Sequence, residues 1–80
     1  LADDDHEAAR VLVEAGDILP LDVILEKAQA RYRGRVLEVE LEREAGRHVY
    51  EIEIVDEQGV VRELYLDASS GELLKAEQEH

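Results

Sequence analysis

Cysteine, methionine, tryptophan and phenylalanine are all missing from this 80-residue chain, and proline occurs once. Without cysteine there is no disulfide, no thiol nucleophile and no thiolate-rich zinc site. The redox compartment stays open, because cysteine-free chains occur in oxidising and reducing surroundings alike. No apolar run approaches the roughly 20 residues of a membrane-spanning helix. Basic residues are scarce too: nine stand against twenty-one acidic ones, a formal net charge of −12. A surface of that sign repels phosphate backbones and anionic lipid, which disfavours nucleic-acid and membrane-surface binding. With no methionine anywhere, Leu1 is not a translation start. The expectation is a longer precursor, either processed by removal of an export signal or trimmed.

What is present has the grammar of one small folded unit. At this length only about 60% of the unfolded surface is buried on folding, so stability is modest. Residues 1–17 read as a short helix and lead-in, residues 18–75 as the main unit and residues 76–80 as a tail. The run DDDHEAARVLVEAG suggests a helix capped by Asp4 or Asp5, with Ala8, Val11, Leu12 and Ala15 on one stripe and Gly16 as its stop. A stronger helix follows in DILPLDVILEKAQARYRG. Pro20 suits its first position, Gly34 the position past its end, and Leu21, Ile24, Leu25, Ala28 and Tyr32 share a face.

From Arg35 to Leu74 the period changes to two. Leu37, Val39 and Leu41 alternate with Glu38, Glu40 and Glu42. Tyr50, Ile52 and Ile54 alternate with Val49, Glu51, Glu53 and Val55, and Leu64 and Leu66 with Val61, Glu63, Tyr65 and Asp67. Such alternation means one buried and one wet face. The turns EAGR, DEQGV and ASSGE each place glycine where a short hairpin needs positive φ. The fold class expected is α+β: one or two N-terminal helices, then a three- to four-stranded antiparallel meander with the main helix on one sheet face. Leu73 and Leu74 are candidates for the fourth strand, and KAEQEH is read as trailing off.

No reactive constellation stands out. Ser69 and Ser70 sit in a glycine turn, where turn chemistry alone favours serine. His6, His48 and His80 lack metal-ligand spacing. A serine hydrolase would need His48 in an enclosed pocket. The chain is therefore read as non-enzymatic, with no catalytic residues and no cofactor. The surface feature that does stand out is the acidic parity, Glu38, Glu40, Glu42, Glu51, Glu53 and Glu63, with Tyr65 as an apolar anchor. Facing glutamates repel across strands, so relief is needed from Arg35, Arg43, Arg47 or Arg62, from counter-ions, or from a basic partner. A hard cation or small ligand on the same carboxylates is the alternative. The valines mixed into this parity, Val36, Val49, Val55 and Val61, follow from strand propensity or from a cover such as the first helix, a second copy or a partner.

The segments LPLDVILEKA, VLEVELE, VYEIEIVDEQG and above all YLDASSGELL together resemble the PepSY domain, over roughly Ile18 to Leu74. The resemblance implies a helix packed on an antiparallel sheet, in a small exported bacterial protein that is periplasmic or secreted. It also implies a non-catalytic module that modulates or inhibits a peptidase or engages an envelope sensor protein. No catalytic residue carries over, because the family has no catalytic motif. Gly34, Gly59, Asp67, Ala68 and Gly71 match its turn positions. The density of glutamate on the outer strands goes beyond its pattern. A homodimer is a further open alternative.

Overall fold

The alternating segments pair as a plain meander in the computed structural model, which describes residues 3–79, with side chains described from residue 7 onward. Two helices come first, α1 (Asp3–Glu14) and α2 (Leu21–Arg31). Four strands follow, β1 (Arg35–Glu44), β2 (Arg47–Val55), β3 (Val61–Asp67) and β4 (Leu73–Gln78). Each strand pairs antiparallel with the next, in the order β1-β2-β3-β4. The α+β class expected from the sequence is therefore the class observed. The fourth strand runs on through Lys75, Ala76, Glu77 and Gln78, where the sequence pattern suggested a tail. Its side chains are mostly exposed, so no alternation of burial marked it as a strand.

One face of the sheet makes the core. Tyr50, Ile52, Ile54, Leu64 and Leu66 are essentially inaccessible, and Ile24 and Ala28 of α2 and Ala9 of α1 join the same cluster. The α2 face is the expected one, with Leu21, Leu25 and Tyr32 packed around its rim. Pro20 is the cap and not the first helical residue: its ψ of 150° is extended, and its carbonyl accepts the N–H groups of Val23 and Ile24. Gly34 lies beyond the Tyr32 C-cap and serves a different purpose. There the chain passes so close to Val55 that a Cβ at residue 34 would collide with the Val55 carbonyl.

Two further expectations need correction. The helix α1 meets the core through Ala9, Leu12 and Val13, whereas Val11 is 59% exposed and Ala8 and Ala15 lie outside. Both stripes contain Leu12 and obey helical spacing. The seam with Val13 leads directly to buried Ile18, and the alanine-rich pattern could not choose between them. α1 also starts at Asp3, so Asp4 and Asp5 fall inside its first turn; their side chains, like that of His6, lie outside those described.

The second correction concerns β1. A β-bulge between Val36 and Glu38 inserts one unpaired residue, Leu37. Val36 consequently turns to the core and Leu37 is left 45% exposed. The bulge offsets the alternation by one residue, so Val36 before it and Val39 and Leu41 beyond it all face the core, the latter two as expected.

These placements give a direct stability test. Replacing Ile52 by Ala should cost about 2–5 kcal/mol in urea unfolding, since a fully enclosed side chain leaves a cavity. Leu12→Ala should cost clearly more than Val11→Ala, which should stay within about 0.5 kcal/mol of the parent. A larger loss at Val11 would contradict the α1 seam.

Candidate binding face

The face opposite the helices is built from rows that run across the strands. Glu38, Glu53, Glu63 and Glu77 are successive cross-strand partners, so one row holds a glutamate on every strand. The next row runs Glu40, Glu51, Tyr65, Lys75, and the one after it Glu42, Val49, Asp67. The register expected for Glu38, Glu40, Glu51 and Glu53 is thus the one formed. The structure brings Glu38, Glu40, Glu42, Glu51, Glu53, Glu63 and Tyr65 onto one surface.

The charge on that surface is not cancelled from within. Among the described residues the ion pairs are Arg10–Glu7, Arg47–Asp67, Arg62–Asp56 and Lys75–Glu77. None of them reaches the six outward glutamates singled out from the sequence. Arg62 faces the helix side, where its guanidinium lies 5.4 Å from the Tyr32 ring centre while it holds Asp56 at 2.9 Å. Sequence reasoning offered it as a neutraliser of the acidic face because charge alone does not reveal which face a residue takes.

Unrelieved crowding shows in the acidities. Partial burial, reinforced by the charges of Glu79, Glu51, Glu53 and Glu40, pushes Glu63 up to about 7. Glu51 is raised by burial and by Glu42 and Glu40, and Glu53 by burial and by Glu79 and Glu38. Two groups of carboxylates, Glu40–Glu42–Glu51 and Glu53–Glu63–Glu79, bring oxygens within 4.8 Å of one another. Glu79 was not singled out from the sequence. Its place follows from the unexpected length of β4, which carries the chain back past Val61.

The apolar residues of this parity are tucked in. Val49 is 2% exposed although it lies outside the helix-side cluster, and Val55, Val61 and Tyr65 are half-buried. Tyr65 is also roofed by the Lys75 ammonium, 5.2 Å from its ring centre. Its value as an anchor is limited to what that lysine leaves open.

The residues considered for catalysis have other duties. Ser69 donates its hydroxyl to Asp67 Oδ1 at 2.6 Å, and Ser70 Oγ accepts the Glu72 N–H. Asp67 Oδ1 also accepts the N–H groups of Ser69 and Ser70, and these bonds hold its carboxyl below the usual range. Ala68, wholly buried, donates its N–H to the His48 carbonyl and accepts from the Leu19 N–H. The Asp-Ala-Ser-Ser-Gly turn thereby ties the β3–β4 hairpin to β2 and to the lead-in of α2. Gly71 closes the turn at φ +78°, with the Lys27 stem lying where a side chain would go. His48 is half-buried in β2 opposite Arg43 and lines neither groove identified among the described residues.

The family model for the peptidase propeptide and YPEB domain, PepSY, matches residues 18–77, three quarters of the chain. The chain belongs to the PepSY family. Comparisons with curated proteins and with solved structures return no significant match. The matched span of this PepSY domain takes in α2 and all four strands, and leaves α1 outside it. No described helix is long and apolar enough to cross a membrane.

The raised pKa of Glu63 has a defined consequence for this PepSY domain. Below about pH 4.5 both folded and unfolded chains carry the proton. Between there and about 7 the folded chain retains a proton that the unfolded chain has released, so stability falls as pH rises and the loss is complete above that window. After discounting for solvent screening of this partly exposed group, the loss is about 1 kcal/mol. Glu63→Gln should flatten the dependence and melt higher than the parent at pH 8. Equal slopes of Tm against pH in both proteins would contradict it.

Proposed function

We propose that this chain is a non-catalytic binding module, exported to the periplasm or secreted, that docks its carboxylate face onto a basic surface of a partner protein. The partner class that the family description supports is a peptidase, which the module would restrain or modulate; an envelope sensor domain is the other candidate. The observation that carries the reading is the set Glu38, Glu40, Glu42, Glu51, Glu53 and Glu63 on one sheet face, none of them in an ion pair among the described residues, while two cations of that face, Arg47 and Lys75, are taken by Asp67 and Glu77. Folding tolerates this repulsion only because the opposite face buries a continuous apolar layer. A basic partner would remove the repulsion and gain from it. Tyr65 and the half-buried valines give the surface some apolar area, but charge dominates it. Charged surfaces of this kind govern association rate and choice of partner more than residence time.

The test is capture from an envelope extract by the parent and by the triple variant Glu40→Lys, Glu51→Lys, Glu53→Lys. Loss of the captured protein in the variant is expected, with association to the parent slowing as salt rises while release changes less. Undiminished capture by the variant would overturn the assignment.

A second reading is favoured by the two carboxylate triads: the same face takes up a hard divalent cation or a small ligand. Three oxygens within 4.8 Å are fewer than the six to eight that calcium prefers, so water would have to complete the shell. This reading predicts that millimolar calcium raises Tm beyond what matched ionic strength gives. A response no greater than that of the monovalent control would dismiss it.

A further inference from the structure

Among the described residues the meander leaves two free backbone edges, one on β1 and one on β4. An unpaired strand edge is a template for another strand unless something guards it. β1 is guarded against its own copy. Its outward parity carries Glu38, Glu40 and Glu42, so any antiparallel pairing of β1 with β1 that keeps the faces aligned sets glutamate against glutamate. Its bulge at Leu37 bends the edge further.

β4 is different. Five of its six residues are exposed, and its sequence, LLKAEQ, carries one cation and one anion two positions apart. The direction of its backbone groups follows from the ladder. Glu79 donates its N–H to the Val61 carbonyl at 2.8 Å, and bonded pairs alternate along an antiparallel ladder. Glu77 and Lys75 therefore turn their backbone groups toward β3, while Gln78 and Ala76 turn theirs outward, to the free edge.

We propose that two copies of this chain pair through the free edges of β4, antiparallel about a two-fold axis at Ala76, joining two four-stranded sheets into one of eight strands. In that register Ala76 meets Ala76 of the second copy and the two exchange both N–H···O bonds. Leu74 falls opposite Gln78. Lys75 falls opposite Glu77, and Glu77 opposite Lys75, at the positions where facing side chains approach most closely. Within each chain Lys75 Nζ already lies 2.7 Å from Glu77 Oε1, so the dimer assembles four alternating charges on the outer face. A lysine on an edge strand ordinarily deters an unrelated strand. Here the register supplies its match.

The inner face accommodates the copy as well. Ala76 shares the parity of core residue Leu64 yet is exposed, because the helix cover stops short of β4. A groove of about 350 Å³ between α2 and the start of β4 is floored by Ala28, Leu66 and Leu73. Ala28, Ala30 and Gly71 are the small residues of its lining, beside the longer Lys27, Arg31 and Glu72. Because the contact is self-complementary, it closes at two copies, and the remaining β1 edges are the guarded ones. The inference is independent of the partner assigned to the carboxylate face, which pairing would only widen.

A pair of six-residue edges is smaller than a standard interface of about 800 Å² per partner, so association should appear over roughly 10 µM to 1 mM. Sedimentation equilibrium of the whole chain at about 0.15 M salt reads it directly. Lys75→Glu and Glu77→Lys, each alone, should weaken self-association roughly tenfold, because both facing pairs become like-charged. An equimolar mixture of the two variants should associate again as a heterodimer, since each new charge then meets its opposite. Circular dichroism establishes that both exposed-site variants remain folded. A parent that stays monomeric to about 1 mM, single variants that associate as the parent does, or a mixture no more associated than its components would each overturn the proposal.

Discussion

Glutamates that would rather separate are held side by side by what lies beneath them. Each strand of the sheet carries its apolar and acidic residues on opposite parities, so the packing that aligns Ile52 with Leu64 also aligns Glu53 with Glu63. Register cannot slip to relieve the charge without moving the whole apolar set to the wet face. The stability gained on the helix side therefore sets how much repulsion the other side can carry. Much that is distinctive about the outer surface, from the raised pKa of Glu63 to the lack, among the described residues, of an ion pair on its six outward glutamates, descends from this coupling.

Glycine and the Asp-Ala-Ser-Ser-Gly turn make the coupling geometrically strict. Gly34 lets the chain entering β1 pass against the Val55 carbonyl, and the turn at Asp67–Gly71 ties the hairpin to His48, Leu19 and Lys27. Gly34 and the residues of the Asp67–Gly71 turn thus act on the backbone path. They determine where the strands sit, and the strands determine where the carboxylates sit.

Much of this was readable in the sequence because period-two alternation and turn glycines are strong local signals. The inward set Val39, Leu41, Tyr50, Ile52, Ile54, Leu64 and Leu66, and the facing glutamates, followed from them. Four things did not. Val36 and Leu37 are adjacent and equally apolar, so only the tertiary bulge decides which one is buried. The α1 seam rests on alanines and two valines whose spacing fits two stripes, and contact with the sheet picks one. β4 lies beyond the helix cover, has almost no buried parity, and so gave no sign of its length; Glu79 was missed with it. The partners of the arginines were also hidden, since a charge in a sequence carries no mark of the face it will take.

The account turns on whether these carboxylates are held together in the folded chain. Site-resolved ¹³C NMR of the glutamate side-chain carboxyls, followed across pH, measures that directly. The structure predicts that Glu63 titrates near 7, with Glu51 and Glu53 also above the ordinary carboxylate range. Titration of all three at the value of free glutamate would mean that the row is not formed, and the coupling between the two faces would fall with it.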